Sequence, residues 1–356
     1  MMNHENVGLG CGGKQEGVLL TIAIPTFNRP AQLKHTLEVI VPQIAGEQRV
    51  RLMVFDNHSE VPAVQILAEL GVGLSAQVSV VRHAFNIGGS ANVMRCFELC
   101  ETEWLWVLGD DDKPRPDAVR TILQDAKNEA EHVFAFYSFP QEALPKPIPN
   151  GRLAGKTIEA LFSAFDYRVM RLALISAGVY RMSAFRRRMA KGYACLSSQI
   201  PQLLMVLAEA EAGGCWLLSD KTICDYQQPD RENTFMYYTF FIGLPVAFIA
   251  FAQSMNIGRF RRNLQCYYSS RPDCILLYYV VGFQMKELFS LQSGYLFRIM
   301  KDVYAPSLLS QPVNWLKWQL VAVASFFPGP FWKTALIACR MLGRPVPSTG
   351  VRERTD

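Results

Sequence analysis

Three adjacent carboxylates, Asp110, Asp111 and Asp112, follow the run Trp104-Leu105-Trp106-Val107-Leu108-Gly109 and precede Lys113-Pro114-Arg115-Pro116. Like charges this close repel one another, so a fold accommodates them in water or around a cation. Oxygen-only ligands suit Mg2+ or Mn2+ far better than zinc, and a hard ion with open positions commonly holds substrate phosphates. An Asp run before a proline is also ordinary turn chemistry. Context separates the two: the preceding residues read as a strand buried on both faces, which puts the carboxylates at the carboxyl edge of a sheet. Open α/β sheets bind their ligands at that edge.

Three earlier loops recur in the same setting. Val18 to Ile24 is a β-rich run closed by Pro25-Thr26-Phe27-Asn28-Arg29-Pro30, after which Leu33, Leu37, Ile40 and Val41 follow at helical spacing. Arg51 to Phe55 predicts a second strand ending at Asp56-Asn57-His58-Ser59, with a helix over Val61 to Leu70. Gln77 to Arg82 predicts a third, leading through His83-Ala84-Phe85 into Asn86-Ile87-Gly88-Gly89-Ser90-Ala91-Asn92 and a helix carrying Val93, Phe97 and Cys100. Alternating β and α units predict a mostly parallel sheet covered on both faces, with these loops on one edge.

Each loop has a chemical use and an ordinary one. The Pro25 to Arg29 stretch can hold a base and a diphosphate through backbone groups, Phe27 and Arg29, or be a plain Pro and Asn turn. Asp56 can accept a hydrogen bond from a nucleobase or ribose, or cap a helix. The Asn86 to Asn92 loop offers backbone amides and small residues at a helix start, without the GxGxxG spacing of a dinucleotide fold.

Composition bounds the rest. A chain of 356 residues invites two domains, and its 50% hydrophobic content is ample for a core. The nine cysteines lack CxxC pairs or histidine partners, which points to reduced thiols rather than a disulfide frame or zinc site. Residues 1–17 are glycine-rich and polar with no apolar core behind a basic start, so they read as a flexible tail without an export signal. A cytoplasmic location is the expectation.

Together, in this order, Thr21-Ile22-Ala23-Ile24-Pro25-Thr26-Phe27-Asn28-Arg29, Val54-Phe55-Asp56-Asn57-His58-Ser59, Asn86 to Asn92, and Leu108-Gly109-Asp110-Asp111-Asp112 with Pro116 resemble the family 2 glycosyltransferases, which have the GT-A fold. The resemblance is close over Val18 to Asp117 and looser to about Asn233. It implies a donor site in which Pro25, Thr26, Phe27, Arg29, Asp56, Asn86, Gly88, Gly89 and Asn92 seat a nucleotide-diphosphate sugar. The aspartates would supply the DxD function of that family. Keeping Pro116 in register sets Gly109 where many members carry their first aspartate, so Asp111 and Asp112 become the expected metal ligands and Asp110 a donor-side neighbour. The implied activity is inverting transfer of a sugar to a hydroxyl with Mg2+ or Mn2+. A non-catalytic sugar-nucleotide binding or scaffold protein and a nucleotidyltransferase are the alternatives.

The implied domains are a catalytic unit over 18–232, divided into a nucleotide-binding half (18–117) and an acceptor half (118–232), then a helical region (233–345) and a tail (346–356). In the acceptor half, Ala118 to Ala130 and Ile200 to Ala212 read as helices. Val133 to Phe139 and Leu172 to Tyr180 read as strands, Cys215 to Cys224 as a strand with a polar bend at Ser219-Asp220, and Gln141 to Gly155 as a loop or lid. Inverting transfer needs a carboxylate to take the acceptor proton. By the resemblance it belongs about one helix before Gly213, yet Leu196-Ser197-Ser198-Gln199-Ile200-Pro201-Gln202 contains no acid. Asp225, Asp166 and Asp230 are the remaining candidates, with Arg231 near enough in sequence to close over phosphates.

The last third is different. From Asn233 onward there are 13 Lys and Arg against 5 Asp and Glu, and residues 233–258 carry no formal charge. Basic, aromatic helices suit the inner face of an anionic membrane, which would favour a lipid-linked saccharide acceptor and a role in cell-surface polysaccharide assembly. A soluble helical domain and a membrane span over 233–258 are the other possibilities. Nucleic acid is not expected as a partner, since no basic stripe with a matching motif occurs.

Overall fold

The computed structural model describes residues 17–128, 132–137, 152–156, 160–161 and 173–225. The chain forms strands β1 (Leu20–Thr26), β2 (Val50–Asp56), β3 (Val78–Arg82), β4 (Trp104–Val107), β5 (Lys113–Pro114), β6 (Phe134–Tyr137), β7 (Arg152–Gly155), β8 (Gly178–Arg181), β9 (Trp216–Ser219) and β10 (Cys224–Asp225). Eight of them make one sheet of order β3-β2-β1-β4-β8-β6-β9-β7, and β5 pairs with β10 in a second. Neighbours among β3, β2, β1 and β4 run parallel, as do β6 and β9; β8 and β7 run antiparallel to their neighbours. This is the mostly parallel sheet expected from the alternating pattern, in the GT-A-type arrangement that the resemblance implies.

The near-continuous apolar runs arise because β1, β2 and β4 are covered on both faces. Leu20, Ile22, Ile24, Leu52, Val54, Trp104 and Trp106 are all buried. Helix α1 (Pro30–Ile44) opens with proline at its first turn, where a missing N–H costs nothing. It buries Leu33, Thr36, Leu37, Ile40 and Ile44, one stripe at three- and four-residue spacing. It packs with α2 (Ala63–Glu69) and α4 (Ala118–Asn128). Helix α3 (Gly89–Glu98) packs instead with the later helices, which are α5 (Met182–Phe185), α6 (Met189–Ala194) and α7 (Pro201–Glu211). Phe97 of α3 joins Tyr180 of β8 at 5.1 Å between ring centroids, and Tyr180 meets Phe185 at 5.0 Å. That aromatic cluster ties α3 of the first half to β8 and α5 of the second.

Several boundaries differ from the sequence reading. The segment read as a strand with a bend at Ser219-Asp220, Cys215 to Cys224, is two strands, β9 and β10, separated at that bend, where Ser219 Oγ accepts the Lys221 N–H and turns the chain. Within Gln141 to Gly155, Arg152–Gly155 is not loop but the sheet's edge strand. Leu172 to Tyr180 shortens to β8, preceded by a single 3-10 turn over Ile175–Ala177. The expected helical region 233–345, both tails, Asp166, Asp230 and Arg231 lie outside the described residues. Among those described, no helix is long and apolar enough to cross a membrane.

Candidate active site

The order of strands reverses between β1 and β4, with β2 and β3 on one side and β8 on the other. A crevice opens at such a switch point because the adjoining connections leave in opposite directions. The two loops that meet there are the Pro25 loop and the acidic loop. Thr26 Oγ1 donates to Asp110 Oδ2 at 2.7 Å. Arg29 Nη1 lies 3.1 Å from Asp110 Oδ1 and 2.6 Å from Asp111 Oδ2. Thr36 of α1, one buried turn further on, donates to the carbonyl oxygens of Asp110 (2.9 Å) and Asp112 (3.2 Å). Helix α1 therefore holds the acidic loop through its backbone while Arg29 holds its charge.

The three carboxylates are not equivalent. Asp110 is buried, and burial pushes its carboxyl up to about 6; Arg29 and the Thr26 hydroxyl oppose that shift, and Asp111 adds to it. For Arg29 burial works against the charge, but Asp110 and Asp111 outweigh it and raise its pKa. Asp111 is the exposed member, its side chain 44% accessible. Asp112 is anchored by a short hydrogen bond from Ser176 Oγ, which also accepts the Gly109 N–H at 2.8 Å. The Ser176 carbonyl in turn accepts the Trp106 indole N–H at 2.9 Å, so the strand, the 3-10 turn and the acidic loop are one unit.

Gly109 stands where a side chain would collide with this arrangement. A Cβ there would lie 2.9 Å from Asp112 Oδ2, 3.3 Å from Asp111 Oδ1 and 3.4 Å from Ser176 Oγ. The three atoms nearest to that position are all oxygens, a donor type that fits Mg2+ or Mn2+. Among the described residues no three His, Cys, Asp or Glu side chains gather closely enough to hold a metal by themselves. A hard ion here would take its remaining ligands from water or a bound phosphate, which is usual for Mg2+.

The loops after β2 and β3 are tied to the same edge. Asp56 is wholly buried and accepts the N–H groups of Ser59 (2.8 Å) and Ala63 (3.1 Å) and a short bond from Arg82 Nη1. Burial opposes its ionisation, yet these donors together hold its carboxyl below the usual range. Ser59 Oγ accepts the Asn28 N–H at 3.0 Å, and Asn28 Oδ1 accepts the Glu60 N–H at 2.8 Å, joining this loop to the Pro25 loop. Asn57 Nδ2 donates to Asn86 Oδ1 at 2.7 Å, and Asn57 Oδ1 accepts the Ile87 N–H at 2.9 Å, which adds the third loop. Asn92 is buried beneath, donating to the Phe55 carbonyl at 2.9 Å. Gly88 has φ +86°, and a Cβ at Gly88 or Gly89 would meet nothing within 4 Å, so this part of the loop faces open space. Phe27 is 37% exposed and Pro25 pairs in register with Phe55 at the strand end.

The second half supplies less. Asp225 of β10 sits opposite Lys113 of β5 and pairs with Arg115 at 2.9 Å, which brings it to the residues just after the acidic triplet. The segment without an acid, 196–202, forms a 3-10 turn and the start of α7. Its Gln199, at φ +64°, accepts a hydrogen bond from Ser90 Oγ at 3.2 Å at the start of α3. Glu209 further along α7 is buried and paired with Arg188 at 2.7 Å and Arg187 at 3.7 Å. Sequence reasoning missed Ser176, Thr36, Ser59, Arg82 and Gln199. Only Arg82 had a usable signal, since parallel pairing of β2 and β3 sets it beside Asp56.

The strand order and the acidic loop at its switch point define a GT-A-type protein. Residues 21–193 match glycosyl transferase family 2, and that segment is a glycosyltransferase domain of this type. Its fold is similar to that of S. aureus TarS 1-349, at 12% identity and TM-score 0.52, covering 92% of each chain. The same fragment in complex with UDP-GlcNAc gives a TM-score of 0.53 at 12% identity, covering 92% of this chain and 93% of that one. The mannosyltransferase PcManGT from Pyrobaculum calidifontis, in complex with GDP-Man and Mn2+, matches at 11% identity and TM-score 0.50, covering 90% of this chain and 86% of that one. At such identities the likeness is one of fold. No curated protein sequence matches the chain.

Proposed function

We propose that this glycosyltransferase takes its sugar from a nucleotide-diphosphate donor and passes it, with inversion, to a hydroxyl, using Mg2+ or Mn2+. One observation carries the reading: Thr26 and Arg29 are bonded to Asp110 and Asp111 at the switch point, beside an open glycine loop. In this reading Pro25, Thr26, Phe27 and Arg29 line the base and diphosphate. Gly88 and Gly89 let the ligand approach the backbone, and Asn86 and Asn92 hold that loop. Asp56 shapes the base end of the pocket through the loop it ties down. Asp111 and Asp112 would hold the ion, with Asp110 behind them. A bound ion would offset charge developing on the departing diphosphate.

Asp225 is our candidate for taking the acceptor proton, because its pairing with Arg115 and its place opposite Lys113 bring it to the acidic loop. Asp166 and Asp230 remain in reserve. We divide the chain into a catalytic unit over 18–232 and a basic, apolar region over 233–345. That second composition is what supports a lipid-linked saccharide acceptor, a peripheral place on the cytoplasmic face of a membrane and a role in polysaccharide assembly. The family match over residues 21–193 speaks against a scaffold or a nucleotidyltransferase.

The test is a panel of nucleotide sugars scored by thermal shift with and without Mn2+, followed by product analysis with the stabilising donor. Stabilisation rises with ligand concentration relative to its dissociation constant, so weak recognition still registers. Release of free nucleoside diphosphate supports sugar transfer. Pyrophosphate as product, or no donor shifting the protein with either ion, removes the proposal.

A further inference from the structure

The acidic loop already has a cation in it. One guanidinium nitrogen, Arg29 Nη1, is shared between Asp110 Oδ1 and Asp111 Oδ2. The backbone beneath it is fixed, since the Arg29 carbonyl accepts the Leu33 N–H at 3.0 Å in the first turn of α1. The side chain above is 41% exposed. Asp110 is buried, and Arg29 Nη1 is the positive charge that meets it. Yet Asp111, the carboxylate that Arg29 grips most closely, is also the accessible side of the oxygen-lined space above Gly109.

We propose that Arg29 is an exchangeable counter-ion: it excludes a bare divalent ion from the acidic loop and moves to the diphosphate when nucleotide and metal arrive together. The inference rests on the donor and metal reading above. Its physical basis is that a guanidinium and a divalent cation on one carboxylate repel at a separation of a few ångströms, less than the Debye length of about 8 Å at physiological salt. A diphosphate relieves that repulsion, because it offers Arg29 an acceptor of matching fork geometry and adds negative charge to the site. The loop then loads metal with nucleotide rather than before it.

This predicts opposite signs for one substitution. In Arg29→Gln, affinity for Mn2+ alone, read from the electron paramagnetic resonance signal of free Mn2+, should rise on the order of tenfold. Affinity for Mn2+ with a nucleoside diphosphate should fall, with UDP, GDP, dTDP, CDP and ADP each tried on the full chain. Arg29→Lys, which keeps the charge without the fork, should leave bare Mn2+ binding weak while still weakening the nucleotide complex. Asp111→Asn should abolish Mn2+ binding in either background. If Arg29 merely orients Asp111, Arg29→Gln will weaken Mn2+ alone as well, and an unchanged or lower affinity overturns the proposal. Should the native chain bind none of the five diphosphates with Mn2+, the donor reading itself falls and takes this inference with it. A native chain that binds bare Mn2+ as tightly as Arg29→Gln, while still binding a diphosphate, refutes the counter-ion role alone.

Discussion

At the scale of single residues, Gly109 decides what the acidic loop can be. Its absent side chain is the space bounded by Asp112, Asp111 and Ser176, so Gly109→Ala would push the Asp112 carboxylate off Ser176. Overpacking of this kind costs about 1–3 kcal/mol. We expect Gly109→Ala to melt earlier and to lose the extra stabilisation that Mn2+ gives to nucleotide binding. Gly89→Ala is the contrast. It starts α3 with open space around it, so the fold should keep its stability or gain about 0.4–1 kcal/mol. The added methyl would nevertheless stand in the proposed ligand path and weaken nucleotide binding. Thermal melts with and without nucleotide, on both variants, check the pair; equal ligand shifts in Gly109→Ala and the native chain would remove the glycine space from the site. The sequence exposed the Asp triplet but not Ser176, which lies 67 positions beyond Gly109 and meets it only because β8 inserts next to β4.

At the scale of elements, legibility followed burial. Strands β1, β2 and β4 read clearly because cover on both faces leaves an unbroken apolar run, and the helices between them show a clean stripe. Strands β7 and β8 read poorly: each has four residues, and their pairing partners are set by the tertiary fold rather than by a local pattern. Within this frame Asp56 is the knot between β2, α2 and β3. Asp56→Asn would keep the shape but lose the charge facing Arg82, and would turn an amide toward one of the backbone N–H groups. Since hydrogen bonds to charged groups are worth roughly 1.5–3 kcal/mol, a loss of about 2 kcal/mol near neutral pH is expected. The sign with pH follows from the lowered pKa. Ionised Asp56 stabilises the fold fully above its unfolded value of about 3.9, and that part is lost as pH falls through the lower folded value. Urea melts from pH 7 down to about pH 2 should show the gap between the native chain and Asp56→Asn closing below about pH 4. A gap that is constant over this range would mean the carboxylate charge does not hold the loop.

At the scale of the whole molecule, the charge is unevenly divided along the chain. The described sheet edge gathers acids and pairs them internally, through Arg29, Arg82 and Arg115. The region from Asn233 onward carries 13 basic against 5 acidic side chains, among apolar and aromatic residues. A soluble helical domain gains little from that excess, whereas a surface of anionic lipid returns about 1 kcal/mol for each Lys or Arg held near it. Because the attraction acts within a Debye length, it must weaken as salt rises. We therefore predict that the full chain floats with vesicles of anionic phospholipid at low salt, floats poorly with neutral phosphatidylcholine, and is released from anionic vesicles by 0.5–1 M NaCl, where the Debye length is down to about 3–4 Å. Retention at high salt on both kinds of vesicle would instead indicate insertion of the uncharged 233–258 stretch. Absence from both would detach the acceptor from the membrane and leave a sugar transfer to a soluble hydroxyl.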